Sequence, residues 1–417
     1  MRPPRLALAL VLIAGPAPAE GLRVERTVID ANFPGGYQVE VADVNGDGKP
    51  DLVALGGGTC AWYENPSWTK RVVTGPERTP DIISSATADL DGDGKAEIAI
   101  AYDFEMTNPK RGKLGLAVQG DGPDAAWTFR HLADVPSIHR VRWGEFDGDP
   151  ARPELVVAPI FGPAATPPLY EDPARLALFL PGADPKAGAW ERRDLSGGDA
   201  RRRPDQPPAR RNGPRPVLHA IEVDPHTRSE PRNAPRRDHI VTADNLGVLR
   251  IIPALSGNGE PGLRGWGYQP LIPGAPGDAP NRGCSEVHTG RFADGRTFLA
   301  TIEPWHGTTV AVYPYSPASY GPRTVLDDTL DAGHALWVAD VDRDGDDEVF
   351  AGHRGKDARL SLYDFDGVRW RRTVIDRQIT PQDLRGGDVD GDGTPEVVAI
   401  GGASKNVVLY RFRPAGG

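Results

Sequence analysis

The sequence predicts an all-β fold, a seven-bladed β-propeller closed by an N-terminal strand that completes the last blade. Three observations predict it. A nine-residue acidic loop recurs along the chain, as "DVNGDGKPD" (43–51), "DLDGDGKAE" (89–97), "DVDRDGDDE" (340–348) and "DVDGDGTPE" (388–396). Each copy runs into an apolar, β-branched segment and then two further strand-like segments, so the repeating unit has four strands. Glycine (50) and proline (42) are abundant in the 417 residues, as many short strands joined by tight turns require.

The first 19 residues stand outside that pattern. Arg2 and Arg5 precede an apolar stretch from Leu6 to Ala14, and Ala17-Pro18-Ala19 closes it with small residues. This is the pattern of a secretory signal peptide cleaved after Ala19, which leaves 20–417 as the propeller and predicts a periplasmic or extracellular protein. No later segment has the run of about 20 apolar residues that a spanning helix needs. The segment "LRVERTVID" (22–30) reads as an edge strand without a blade, whereas the last unit ends at "RFRPAGG" one strand short. Pairing the two removes an open sheet edge.

Inner strands are expected to begin near Tyr37, Ile83, His139, His219, Ser285, His334 and Gln382. Third strands carry an aromatic ("AWYEN", "LSLYDF", "VVLYRF"), and fourth strands follow the pattern of "WTKRVV", "WTFRHL", "WERRDL" and "WRRTVI". The third unit has a degenerate loop with one extra residue (145–159), and the fourth and fifth have lost the acidic residues. Cys60 and Cys284 fall in distant repeats, either as a disulfide or as two buried thiols. The Pro- and Arg-rich stretch 196–217 has no periodicity and reads as a disordered linker or as a cationic lid.

A net charge of −10 argues against nucleic acid as a partner. No G-x-S-x-G, H-E-x-x-H or phosphate-binding glycine loop is present, which removes the common hydrolytic routes. The acidic loops point to a cation instead. Side chains at positions 1, 3, 5 and 9 converge with a carbonyl at position 7, and a glycine at position 6 permits the turn. The expected ligands are Asp43, Asn45, Asp47 and Asp51; Asp89, Asp91, Asp93 and Glu97; Asp340, Asp342, Asp344 and Glu348; Asp388, Asp390, Asp392 and Glu396. Oxygen-only ligands at this density suit Ca²⁺.

With these loops and strands the chain resembles the FG-GAP or VCBS repeat family of seven-bladed propellers. The resemblance implies Ca²⁺ between the first two strands of a blade, and leaves adhesion, scaffolding and catalysis all open.

Strand direction puts the acidic loops on one face, and the starts of first strands and ends of second strands on the other. His139 and His334 each sit six residues before the first loop position, in the slot that Tyr37 and Gln382 occupy in their own repeats; His219 is one residue out of that register. The string "TIEPWHG" adds Glu303, Trp305 and His306 at the end of a second strand, and His353 holds a similar place. A carboxylate, an indole and imidazoles suit a sugar, which stacks on the ring while the others move protons.

With "HALWVADVDRDGDDEVFAGHRG" (334–355) this string resembles the propeller domain of the aldos-2-ulose dehydratase family. The resemblance implies elimination of water from a keto-sugar with a divalent metal. The larger fungal enzyme also has cupin domains without counterpart in these 417 residues, so the resemblance does not reach a second, isomerising step. On this reading some of His139, His219 and His334 hold a second divalent metal (Zn²⁺ or Mg²⁺), His306 and Glu303 transfer protons, and His353 and Trp305 position a carbohydrate or other small ligand. The competing reading is a propeller that binds a glycan or protein without chemistry.

Overall fold

The structure is a computed structural model that describes residues 22–122, 124–149, 152–195, 217–224, 237–255, 263–316 and 319–414. The expected signal peptide and nearly all of 196–217 lie outside them. Seven antiparallel sheets form the blades of a propeller, and the described residues contain no helix. Each blade is a four-strand meander, as in blade 1 (Gly36–Ala42, Asp51–Gly56, Thr59–Glu64, Thr69–Thr74); blade 5 carries a fifth short strand.

Burial follows radius. Every residue of the second strands Asp51–Gly56, Glu97–Tyr102, Glu154–Pro159, His239–Asp244, Glu348–His353 and Glu396–Gly401 is buried, because neighbouring blades cover both faces. That explains their continuous apolar runs rather than an alternating pattern. Outer strands such as Glu191–Asp194 are exposed throughout.

The ring closes as the sequence predicts. Leu22–Asp30 pairs antiparallel with Val407–Pro414 and becomes the outer strand of blade 7, from Leu22 opposite Pro414 to Asp30 opposite Val407. A repeated latch joins blades at this radius. The aspartate ending an outer strand accepts a backbone N–H two residues on with one oxygen, and the tyrosine O–H of the next blade's third strand with the other. Tyr63 donates to Asp30 (2.6 Å), Tyr363 to Asp327 (2.8 Å) and Tyr410 to Asp376 (2.6 Å). The matching backbone donors are Asn32, Thr329 and Gln378. Arg26 of the closing strand adds an ion pair to Asp376 at 2.7 Å.

Cys60 and Cys284 are buried free thiols in different blades, so the disulfide alternative is not realised.

Deleting residues 22–30 should expose the edge of 407–414, strip Tyr63 of its latch partner Asp30 and remove Arg26 from Asp376, giving aggregation on refolding. Size-exclusion chromatography and a thermal melt of the truncated chain check this; a monomer as stable as the parent contradicts the closure.

Candidate functional site

Inner strands enter the central channel through a β-bulge. Pairing with the second strand skips one residue at Tyr37, His139, His219, His334 and Gln382. A bulge re-aims a side chain out of the regular alternation. His219 therefore occupies the same slot as His139 and His334. Counting back from an acidic loop mis-registered it, because blade 4 has no such loop to count from.

Each of the three imidazoles is fixed by the next blade. Nδ1–H of His139 donates to the His219 carbonyl (3.0 Å), that of His219 to Ser285 (2.8 Å) and that of His334 to Gln382 (2.6 Å). Carbonyl oxygens only accept, so the proton must be on Nδ1 and Nε2 presents its lone pair to the channel. Glu286 Oε1 flanks Nδ1 of His219 at 2.9 Å.

His306 completes the cluster from blade 5. It has φ +47° at the tight turn before Gly307 and comes from the end of the strand Thr297–Glu303. Its ring centroid is 4.8 Å from that of His219 and 5.3 Å from that of His334, and the two Nε2 atoms of His219 and His306 are 3.0 Å apart. Ligand atoms of His219, His306 and His334 all lie within 4.8 Å of one another. Nε2 of His334 is buried without a partner.

Burial, then the neighbouring Arg140, drives the His139 and His219 pKa values well below the usual range; burial, then Arg354, does so for His334. His306 is pushed down to about 2 by burial and then by His219. Neutral imidazoles are the form that binds metal.

His139 faces different partners. Its Nε2 lies 3.1 Å from the Tyr37 hydroxyl and 3.0 Å from Arg140 Nη1, and is not one of the three converging donors. Tyr37 donates to this nitrogen, forming a Tyr–His pair whose phenol oxygen also receives Arg140 Nη1 at 3.4 Å. The sequence placed Tyr37 in the slot but assigned it no role, because a phenol there has no distinctive spacing. Phe104 packs on His139 (5.5 Å), and Trp305 lies against His306 (5.2 Å) and Tyr170 (5.7 Å), forming an aromatic wall.

Two residues of the expected site point elsewhere. Glu303 is fully buried inside blade 5, where it accepts Thr301 (2.8 Å), Tyr313 (2.6 Å) and Arg323 (2.7 Å). It takes the tyrosine that the latch aspartate takes elsewhere, since the outer strand of blade 4 ends at Ile272 without one. His353 is buried within blade 6, between Arg359 Nη1 (2.9 Å) and the Asp331 backbone (3.2 Å).

On the opposite face, the acidic loops share one geometry. The first aspartate accepts the N–H of the glycine at position 6: Gly48 (2.9 Å), Gly94 (2.9 Å), Gly345 (3.1 Å) and Gly393 (2.9 Å). These glycines have φ between +80° and +94°, which favours glycine. The ninth residue is buried and staples the loop by accepting the second residue's N–H, as Glu348 does for Val341 (2.8 Å).

Oε1 of Glu154 and Glu348 remains buried and unpartnered. Desolvation pushes Glu348 up to about 10 and Asp342 to about 6. Asp364, on the third strand of blade 6, joins Asp342 and Glu348 to form a possible ligand set; it lies outside the nine-residue pattern.

The loops differ in counter-charge. In blade 2 the ammonium of Lys186 sits 2.8 Å from Asp91, 2.7 Å from Asp93 and 3.3 Å from Glu97. In blade 7, Arg413 reaches Asp390 (2.8 Å) and Asp392 (2.6 Å).

An FG-GAP-like repeat model matches residues 27–100 and an FG-GAP repeat model residues 83–119. The chain is a seven-bladed propeller in which residues 27–119 match FG-GAP repeats. Aldos-2-ulose dehydratase of Phanerodontia chrysosporium is 25% identical over 253 residues, 55% of this chain and 24% of that protein, so the match spans about a quarter of the relative. Among solved structures, a putative 6-phosphogluconolactonase from Bacteroides fragilis is 12% identical with a TM-score of 0.46, covering 92% of this chain and 94% of its own. Rhamnogalacturonan lyase YesW is 14% identical with a TM-score of 0.46, covering 93% of this chain and 72% of its own.

Replacing Glu303 with Ala leaves the Arg323 guanidinium and the Tyr313 hydroxyl without their buried acceptor and should cost about 3 kcal/mol of stability. Urea denaturation checks it; a loss below about 0.5 kcal/mol contradicts the structural role given to Glu303.

Proposed function

We propose that this protein is a secreted propeller whose central funnel binds a divalent metal and eliminates water from a keto-sugar. The observation that carries the reading is the convergence of His219, His306 and His334, with the Nδ1 atoms of His219 and His334 fixed on backbone carbonyls and Nε2 of His334 buried without a partner. Three imidazoles with further coordination positions open fit a catalytic Zn²⁺ centre, and the partial likeness to a dehydratase supports the same chemistry.

Such a cation supplies stabilisation of the negative charge that develops on a carbonyl oxygen when the neighbouring C–H is deprotonated. The other roles belong to the chain. His139 Nε2 and Arg140 Nη1 hold the Tyr37 oxygen in place, so Tyr37, acting as a phenolate, is placed to take the α-proton and pass it to the leaving hydroxyl. Trp305 and Tyr170 offer apolar faces to a sugar ring and keep water from that side.

The test is an incubation of zinc-loaded protein with a panel of keto-sugars, following enone absorbance. Turnover is expected for at least one, and Tyr37→Phe should lower it about 10²–10⁴-fold, the usual scale for one acid–base group, with zinc content unchanged. Binding without turnover favours the non-catalytic glycan-binding propeller, and an unaffected Tyr37→Phe variant removes Tyr37 from the reaction.

In the same reading Ca²⁺ fills the acidic loops of blades 1, 6 and 7, where it neutralises converging carboxylates. The loop of blade 2 takes Lys186 as its cation instead. The ammonium is held in place because the Pro185 carbonyl accepts both Arg130 Nη2 (2.9 Å) and Trp190 Nε1 (3.0 Å). Chelation should lower the melting temperature, and Lys186→Met should bind one more Ca²⁺ than the parent by equilibrium dialysis. An unchanged melt after confirmed metal loss contradicts stabilisation by calcium; equal stoichiometry contradicts the role of Lys186.

A further inference from the structure

The funnel is more cationic than a neutral sugar requires. Arg354 follows the second strand of blade 6 and reaches the histidine cluster. Its Nη1 donates to Gln382 Oε1 at 2.8 Å, and its Nη2 lies 3.4 Å from His306 Nε2 and 3.5 Å from Nδ1. Among the described residues it forms no ion pair. Arg140, the second guanidinium at this level, directs its Nη1 at Tyr37, at His139 Nε2 and at the His139 carbonyl (3.1 Å).

Deeper carboxylates in the channel have other partners. Glu222 pairs with Arg385 (3.0 Å) and Arg142 (3.8 Å), and Asp383 with Arg385 (3.4 Å). Glu40 accepts the Ser85 hydroxyl and the Thr87 N–H, while Glu286, whose Oε1 lies beside neutral His219 without a hydrogen-bond partner, is pushed up to about 7 by burial. That leaves Arg354 beside the neutral imidazoles with a neutral amide as its only strong acceptor among the described residues.

A buried or half-buried guanidinium without a carboxylate is costly, and a divalent cation among the imidazoles would add to the positive field. Gln382 fixes the orientation of Arg354: its carbonyl holds His334 and its amide oxygen holds Nη1, so guanidinium and imidazole share one support. A single planar fork can pair with one carboxylate and balance its charge, whereas a phosphate dianion carries about twice the charge that one guanidinium offsets. The aromatic wall of Trp305 and Tyr170 stands on the His306 side of the same cluster, where a sugar ring attached to that carboxylate can stack.

We propose that the funnel selects a sugar acid, its carboxylate held by Arg354 and its neighbouring oxygens directed at His219, His306 and His334. The inference rests on the metal-binding reading of the funnel and adds the substrate class. Arg354 acts as the specificity-determining residue.

The test is calorimetric titration of the zinc-loaded, full-length protein with D-glucuronate, D-galacturonate, D-glucose, D-galactose and glucose 6-phosphate at low and moderate salt. At least one uronate is expected to bind ten-fold or more tightly than its neutral counterpart, with the advantage shrinking as salt rises. Arg354→Gln should abolish that advantage while zinc stoichiometry and melting temperature stay as in the parent. Arg354→Lys, which keeps the charge but not the fork, should recover only part of it. Equal binding of neutral and acidic sugars, retention of the preference in Arg354→Gln, or preference for the phosphate overturns the sugar-acid assignment and leaves the metal site standing. Failure to take up zinc, or zinc uptake with no binding of any probe, overturns the funnel reading and this inference together.

Discussion

The hydrogen bond from an inner-strand imidazole to the first-strand carbonyl of the next blade ties the fold to the site. It satisfies a buried carbonyl at the channel wall, where no regular sheet partner exists, and it sets the tautomer of the ring. Only a closed ring presents each inner strand to its neighbour in this way. Closure in turn depends on Leu22–Asp30 joining Val407–Pro414, and on the tyrosine–aspartate latches that hold blades at constant spacing. Loss of either would move the imidazoles apart before it touched any of them directly.

The propeller separates two kinds of charge. One face gathers carboxylates in stapled loops, where desolvation raises the pKa values of Glu348 and Asp342 and basic side chains such as Lys186 relieve the repulsion. The other gathers neutral imidazoles and guanidiniums, which suit a softer metal and an anionic ligand. Between them a channel of alternating Arg142, Arg385, Glu222 and Asp383 balances its own charge and keeps the two fields apart. A single inner strand therefore serves both faces, one end entering the funnel and the other feeding an acidic loop.

Much of this was legible in the chain. The acidic repeats mark blade positions because oxygen ligands and a left-handed glycine leave a fixed spacing, and the orphan strand 22–30 declares itself by lacking a blade. Register could be read wherever a loop supplied a reference, which is why His139 and His334 were aligned and His219 was not. What escaped was set by pairing across the ring. Glu303 stands beside Trp305 and His306 in sequence, yet strand geometry turns it onto Tyr313 and Arg323, whereas its neighbour three residues on reaches the funnel. Lys186 meets Asp91, and Asp364 meets Glu348, only through tertiary contacts that no local pattern encodes.

On the proposed reading, three imidazoles from blades 4, 5 and 6 form one metal site. Anomalous diffraction at the zinc edge from crystals grown with one to two equivalents of Zn²⁺ tests it most directly. A single strong funnel peak is expected about 2.0–2.1 Å from Nε2 of His219, His306 and His334, with His139 still bonded to Tyr37. A funnel without a peak, or a zinc ion bound by His139 in place of His306, would contradict it.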